Sequence, residues 1–153
     1  TTPIIMKLLE EKLNIDSITV MVQKEVADRL TEIPGGKNTG AITYCVYYYS
    51  EPQEVLTVPN TSFVPEPKVC SEVIKLNIRK EPPVVLKDEK IFFKVVKASF
   101  MQRRKTLLNG LSNSGIASKE KLREILQELN LSENVRGESL SIEQFAKIAN
   151  KLC

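Results

Sequence analysis

The spacing of apolar positions changes along the chain, and each change predicts an element. Ile4, Ile5, Leu8, Leu9 and Leu13 recur at helical intervals behind Thr2, a capping residue, and Pro3, whose fixed φ suits the first helical position. Residues 17–22, Ser-Ile-Thr-Val-Met-Val, form a short β-branched run that is apolar on both faces, as in a parallel strand covered on two sides. A helix is predicted from about 23 to 32, stopped by Pro34-Gly35-Gly36. Residues 40–49 carry two patterns at once. Their Tyr, Val, Ile and Thr content favours a strand, whereas Ala41, Ile42, Cys45, Val46 and Tyr49 share one helical face. Residues 54–58 and 73–78 read as strands joined by a proline-bearing loop, and beyond Pro82-Pro83 the pattern becomes wholly helical. Three amphipathic helices are expected over 87–110, 118–129 and 141–151, the last opening on a capping box, Ser141 with Gln144.

The chain thus divides near residue 83 into a mixed α/β part, 1–83, and a helical part, 84–153. The first part opens on a helix with no preceding strand, and three strands of this profile are too few to close a core. It reads as the C-terminal portion of a larger α/β domain.

Composition narrows the chemistry. The 153 residues contain no histidine, which excludes Ser-His and Cys-His nucleophile activation and imidazole-ligated zinc. Cys45, Cys70 and Cys153 are scattered and odd in number, which fits a reducing compartment and places the protein in the cytosol. No run is long enough to span a membrane. The net charge of +3 conceals a segregation: residues 68–105 carry 11 Lys/Arg against 4 Asp/Glu, whereas residues 1–67 carry 5 against 9. Such an excess is either a solvated helix face or a surface directed at a polyanion.

Two segments carry candidate chemistry. In the loop Val58-Pro-Asn-Thr-Ser-Phe63-Val-Pro-Glu-Pro-Lys-Val-Cys-Ser71, prolines 59, 65 and 67 stiffen the backbone around Phe63. An aromatic held this way could stack on a base drawn out of its helix, or it could turn inward and anchor the loop. On a helix continued through 88–111, Lys90, Lys94, Lys97, Arg104 and Lys105 fall within roughly a 100° arc. Phe92, Phe93, Val96, Phe100, Leu107 and Leu111 lie opposite, and Arg103 projects among them. That is the pattern of a phosphate-tracking helix whose Arg103 needs an internal partner.

Phe63-Val-Pro-Glu-Pro-Lys-Val-Cys-Ser71 resembles the Phe-x-Pro-x-Pro-x-Val-x-Ser motif of the ribosomal RNA adenine dimethyltransferases. Thr1-Thr-Pro-Ile4 resembles the segment after that family's Asn-Leu-Pro-Tyr motif, and residues 21–30 resemble its following strand and helix. Phe100-Met-Gln-Arg-Arg-Lys-Thr-Leu107 and Arg136-Gly-Glu-Ser-Leu-Ser-Ile-Glu-Gln144 point to the bacterial small-subunit branch, linked to kasugamycin sensitivity. Cys70 and Ser132 stand where that branch usually has Asp.

The resemblance implies a Rossmann-like, S-adenosylmethionine-dependent methyltransferase sheet followed by a small rRNA-docking helical domain. Its members dimethylate two adjacent adenosines near the 3′ end of 16S rRNA, so the implied partner is the small ribosomal subunit, met by a cytoplasmic monomer. Phe63 matches the aromatic that stacks on the flipped adenine. Lys97, from its place on the wheel, and Arg103, Arg104, Lys105 and Arg136, by resemblance, are the expected rRNA-binding residues. The same resemblance selects a helix for residues 40–49. Nothing here matches the glycine-rich cofactor loop, its acidic ribose partner or the Asn-Leu-Pro-Tyr motif, which the family places upstream of Thr1. No cofactor-binding or metal-ligating residues are therefore expected in this chain, which reads as catalytically incomplete. A large-subunit enzyme of the macrolide-resistance type and a non-catalytic nucleic-acid-binding relative are the alternative readings.

Overall fold

Ten regular elements follow one another in a computed structural model that describes residues 2–102 and 104–153. Helix α1 (Thr2–Glu10) turns Ile5 and Leu9 inward and ends before Lys12, whose φ is 51°. Strand β1 (Ser17–Gln23) runs straight into α2 (Lys24–Thr31), and α3 (Ala41–Tyr49) runs straight into β2 (Ser50–Val58). Strand β3 (Ser71–Ile78) completes the sheet. The second half holds α4 (Glu89–Met101), α5 (Leu107–Asn113), α6 (Lys119–Glu128) and α7 (Ile142–Leu152). Each of these four begins at an N-cap, Asp88, Thr106, Ser118 or Ser141, whose side chain accepts a backbone N–H. The expected capping box at Ser141 and Gln144 is formed. No helix among the described residues is long and apolar enough to cross a membrane.

The sheet order is β1-β3-β2, and β3 is antiparallel to both neighbours. Here the structure departs from the parallel, doubly covered strand expected at 17–22. Ile18 and Val22 are buried, whereas Thr19, Met21 and Gln23 on the other face are exposed, Met21 by 49%. Within this chain the strand is covered on one face.

A second departure decides the shape of the helical half. The single helix expected over 87–110 is two helices. Gln102, at φ −127° and ψ 74°, leaves the helical region. Thr106 then caps a new helix by accepting from Asn109 N at 3.2 Å, and Leu107 N donates to Val135 O at 2.8 Å, outside its own helix. A wheel continued from Phe100 to Leu111 therefore does not describe this segment. Arg103, placed on that wheel's apolar side, lies outside the described residues.

Two apolar cores result. One lies on the sheet and includes Ile5, Leu9, Val22, Leu30, Ile74 and Leu76. The other joins α4–α7 through residues such as Phe92, Leu111, Leu122, Leu140 and Phe145. Helix α3 belongs to both. Val46 is fully buried in the sheet core, while Tyr44 and Tyr48 are buried in the helical core. Burial on two sides is worth more than the ~1 kcal/mol range of strand propensity, and residues 40–49 are helical as the resemblance implied. The Tyr44 hydroxyl faces two carbonyl acceptors, Leu140 O at 2.6 Å and Gly137 O at 3.1 Å, and its ring meets Phe145 edge-on with centroids 4.9 Å apart. A close approach reinforces this seam. Gly35 has φ +98°, and a Cβ there would lie 3.3 Å from Leu140 O.

Two outcomes are expected. Tyr44→Phe removes a buried donor from two carbonyls, which should destabilise the fold by about 1–3 kcal/mol in denaturant titration; an unchanged midpoint would show that the hydroxyl does not hold the seam. Burial also pushes the Tyr44 and Tyr49 phenols well above their ordinary range, and pushes the Tyr48 phenol and the Cys45 thiol up to about 12. Groups whose acidic pKa is raised by folding contribute stability at low pH and lose it as pH rises. The melting temperature should therefore fall between pH 9.0, the ordinary thiol value, and about pH 12, and a flat profile there would contradict this burial.

Candidate nucleic-acid interface

Phe63 stands in the connection between β2 and β3, just after a 3-10 turn at Asn60–Ser62. Ser62 N donates to Pro59 O at 3.0 Å and Phe63 N to Asn60 O at 3.3 Å, which closes the turn. Asn60 Nδ2 then reaches across the loop to Pro67 O at 3.2 Å. At the root, Lys24 N donates to Cys70 O at 3.0 Å and ties the loop to the start of α2. The prolines limit the backbone and these bonds fix what remains. Phe63 is partly exposed, belongs to neither apolar core, and precedes Val64, which is 100% exposed.

The basic residues are arranged differently from the expected stripe. Lys90, Lys94 and Lys97 are exposed along α4. Arg104 and Lys105 are exposed in the turn between α4 and α5, where Lys105 N donates to Gln102 O at 2.9 Å. The bond from Leu107 N to Val135 O lays the segment carrying Arg136 against this turn. Gly137 makes the approach feasible, since a Cβ there would lie 2.8 Å from Ser99 Oγ on α4. Arg104, Lys105 and Arg136, remote in sequence, thus come from adjoining backbone, with Lys97 on the preceding helix. Sequence reading missed the residues that bring this about, Tyr44, Ser99, Val135 and Gly137. Their one visible signal was the glycine beside Arg136.

A cleft of about 310 Å³ opens elsewhere, between α1, the end of α3 and the start of α4, and holds none of the expected site residues. Glu89 within it is occupied: it accepts from Tyr48 Oη at 3.0 Å, Tyr49 Oη at 3.4 Å and Lys12 Nζ at 3.2 Å. A carboxylate so engaged is no free general base.

The strand-to-helix junction at Gln23 and Lys24 has no glycine, and Gly35 and Gly36 lie in the α2–α3 turn, where Gly35 packs on Leu140 O.

Comparison with known proteins places this arrangement. The family model described as "Ribosomal RNA adenine dimethylase" matches residues 1–153. A protein named "Ribosomal RNA small subunit methyltransferase A" from a Geobacillus species is 51% identical over 155 residues, covering 99% of this chain and 53% of its own length. Its namesake from Clostridioides difficile is also 51% identical, over 98% of this chain and 52% of its own length. The chain therefore spans about half the length of the curated relatives it matches. Two solved structures share the fold. A dimethyladenosine transferase from Plasmodium falciparum superposes with TM-score 0.79 at 23% identity, over 97% of this chain and 61% of that one. The 23S rRNA methyltransferase ErmE does so with TM-score 0.68 at 20% identity, over 99% and 60%. A match that runs unbroken from the first helix, through the Phe63 loop, to the last shows that the chain belongs to the ribosomal RNA adenine dimethylase family.

Proposed function

We propose that this chain forms the C-terminal half of an S-adenosylmethionine-dependent rRNA adenine N6,N6-dimethyltransferase acting on two adjacent adenosines near the 3′ end of 16S rRNA in the small ribosomal subunit. The observation that carries the reading is the braced loop that leaves Phe63 partly exposed and outside both cores. The small-subunit target rests on relatives of that name at about half identity, against 20% for ErmE. In this reading cofactor binding belongs to the part of the relatives that this chain does not span. Residues 1–83 complete the methyltransferase sheet and residues 84–153 dock on rRNA, and the protein works as a cytoplasmic monomer.

The residues divide the work. Phe63 stacks on the adenine once it leaves the duplex, an interaction worth about 1–3 kcal/mol, and fixes the ring so that its exocyclic amine is in line for transfer. The amine lone pair is delocalised into the ring, so orientation and hydrogen-bond acceptors suffice and no histidine is needed. Lys97, Arg104, Lys105 and Arg136 neutralise backbone phosphates, and Arg103, adjacent in sequence to Arg104, joins them by resemblance.

In the full-length enzyme, Phe63→Ala should lower turnover about 10- to 100-fold with little change in affinity for small-subunit particles, as read by methyl incorporation and by particle binding. A fall in affinity as large as the fall in rate would make Phe63 a docking residue. Combined replacement of Arg104, Lys105 and Arg136 by alanine should leave the melting temperature nearly unchanged, since all three are exposed. It should weaken binding and flatten the slope of log affinity against log salt by roughly 0.7–0.9 for each phosphate that is no longer neutralised. An unaltered slope would remove these residues from the interface. Dimethylation of 23S RNA in place of small-subunit particles would overturn the assigned target.

A further inference from the structure

The inward row of β3 begins with a carboxylate. Ile74 and Leu76 are fully buried beneath α2, and Glu72, two residues earlier on the same face, is only 3% exposed. The strand partners bring more acid to it. Thr57 pairs with Glu72 and Glu54 with Ile74, and the irregularity between Glu54 and Leu56 lets residues three apart on β2 share that face. Helix α2 covers the spot with Lys24 and Asp28. One carboxylate oxygen from each of Asp28, Glu54 and Glu72 lies within 4.8 Å of the others.

The cluster is incompletely satisfied. Lys24 Nζ stands 2.8 Å from Asp28 Oδ1 and 3.4 Å from Glu72 Oε1, and the Thr57 hydroxyl lies 3.4 Å from that same Oε1. The Thr31 hydroxyl lies 3.5 Å from Glu54 Oε1. Glu72 Oε2, buried with the rest of its side chain, has no hydrogen-bond partner among the described residues. Among the described residues Lys24 is paired with two of the three carboxylates, and a carboxylate oxygen left buried without a partner is costly.

We propose that Asp28, Glu54 and Glu72 form a binding site for a hard divalent cation that accepts irregular coordination, as calcium does, with Lys24 as its competitor. Carboxylate and hydroxyl oxygens are the donors such ions prefer. Carboxylates brought together from three separate elements, one of them exposed, suit Ca²⁺, which accepts irregular coordination, better than Mg²⁺, which demands a near-ideal octahedron. The Lys24 side chain is 45% exposed and can swing into solvent when the ion enters. The ion would join α2 to the β2–β3 hairpin where the Phe63 loop is rooted, next to the bond between Lys24 N and Cys70 O. This site stands apart from the proposed methyl transfer, and its test is read without activity.

Isothermal calorimetry with CaCl₂, and in parallel MgCl₂, would measure it on the 153-residue chain. Saturable binding of one Ca²⁺ is expected, with a dissociation constant on the order of 10⁻⁴–10⁻³ M and weaker binding of Mg²⁺. Glu72→Gln should weaken Ca²⁺ binding by about 10- to 100-fold, and Lys24→Met should tighten it because the competing ammonium is gone. Should Glu72→Gln not fold, Glu54→Gln, at an exposed position, serves in its place and should weaken binding likewise. Absence of saturable Ca²⁺ binding, or binding that none of these substitutions alters, would overturn the proposal.

Discussion

Everything in this molecule is arranged around a helix with no solvent face to spare. Helix α3 sends Val46 into the core on the sheet and Tyr44 and Tyr48 into the core of the helical half, so each core needs the other for its boundary. The Tyr44 hydroxyl makes the union specific. Its bonds to Gly137 O and Leu140 O can form only if the segment before α7 is seated against α3. Apolar contact alone would tolerate a slide between the two halves; a buried donor aimed at two carbonyls does not.

The same seam positions the basic turn. Seating Gly137 beneath Tyr44 also presses it on Ser99 of α4, which leaves Arg136 beside the end of that helix. The bond between Leu107 N and Val135 O then holds the α4–α5 turn, with Arg104 and Lys105, against the same strand of chain. The meeting of these three basic residues is thus a by-product of how two cores are locked together. The Phe63 loop is fixed separately, by prolines and by its bonds to Asn60 and to the start of α2. The chain thus carries a proline-braced aromatic on the sheet unit and a charged turn on the helical unit, each held by its own set of bonds.

The elements themselves were legible in the chain. Short β-branched apolar runs and helical spacing, with punctuation at Pro34-Gly35-Gly36 and Pro82-Pro83, located the strands and most helices, although the run at 17–22 predicted burial on both faces where one is buried. The capping box at Ser141 was readable because capping is local chemistry. The motif around Phe63 and the Gln-Arg-Arg-Lys-Thr-Leu run were enough to suggest the family, which the match over residues 1–153 shows.

Tertiary structure decided the rest, wherever a backbone group found its partner far away in sequence. The break between α4 and α5 exists because Leu107 N bonds to Val135 O and Thr106 caps a fresh turn, and the helical wheel through Arg104 and Lys105 could not register either. Residues 40–49 became a helix because both of their faces are buried, a fact about neighbours that neither period in the sequence expresses. The antiparallel placement of β3 between β1 and β2 brought Glu72 beneath α2 and beside Glu54 and Asp28, from three separate stretches of chain. Spacing along a sequence determines which side of an element is apolar; which charges and carbonyls then meet is determined by how the elements pack.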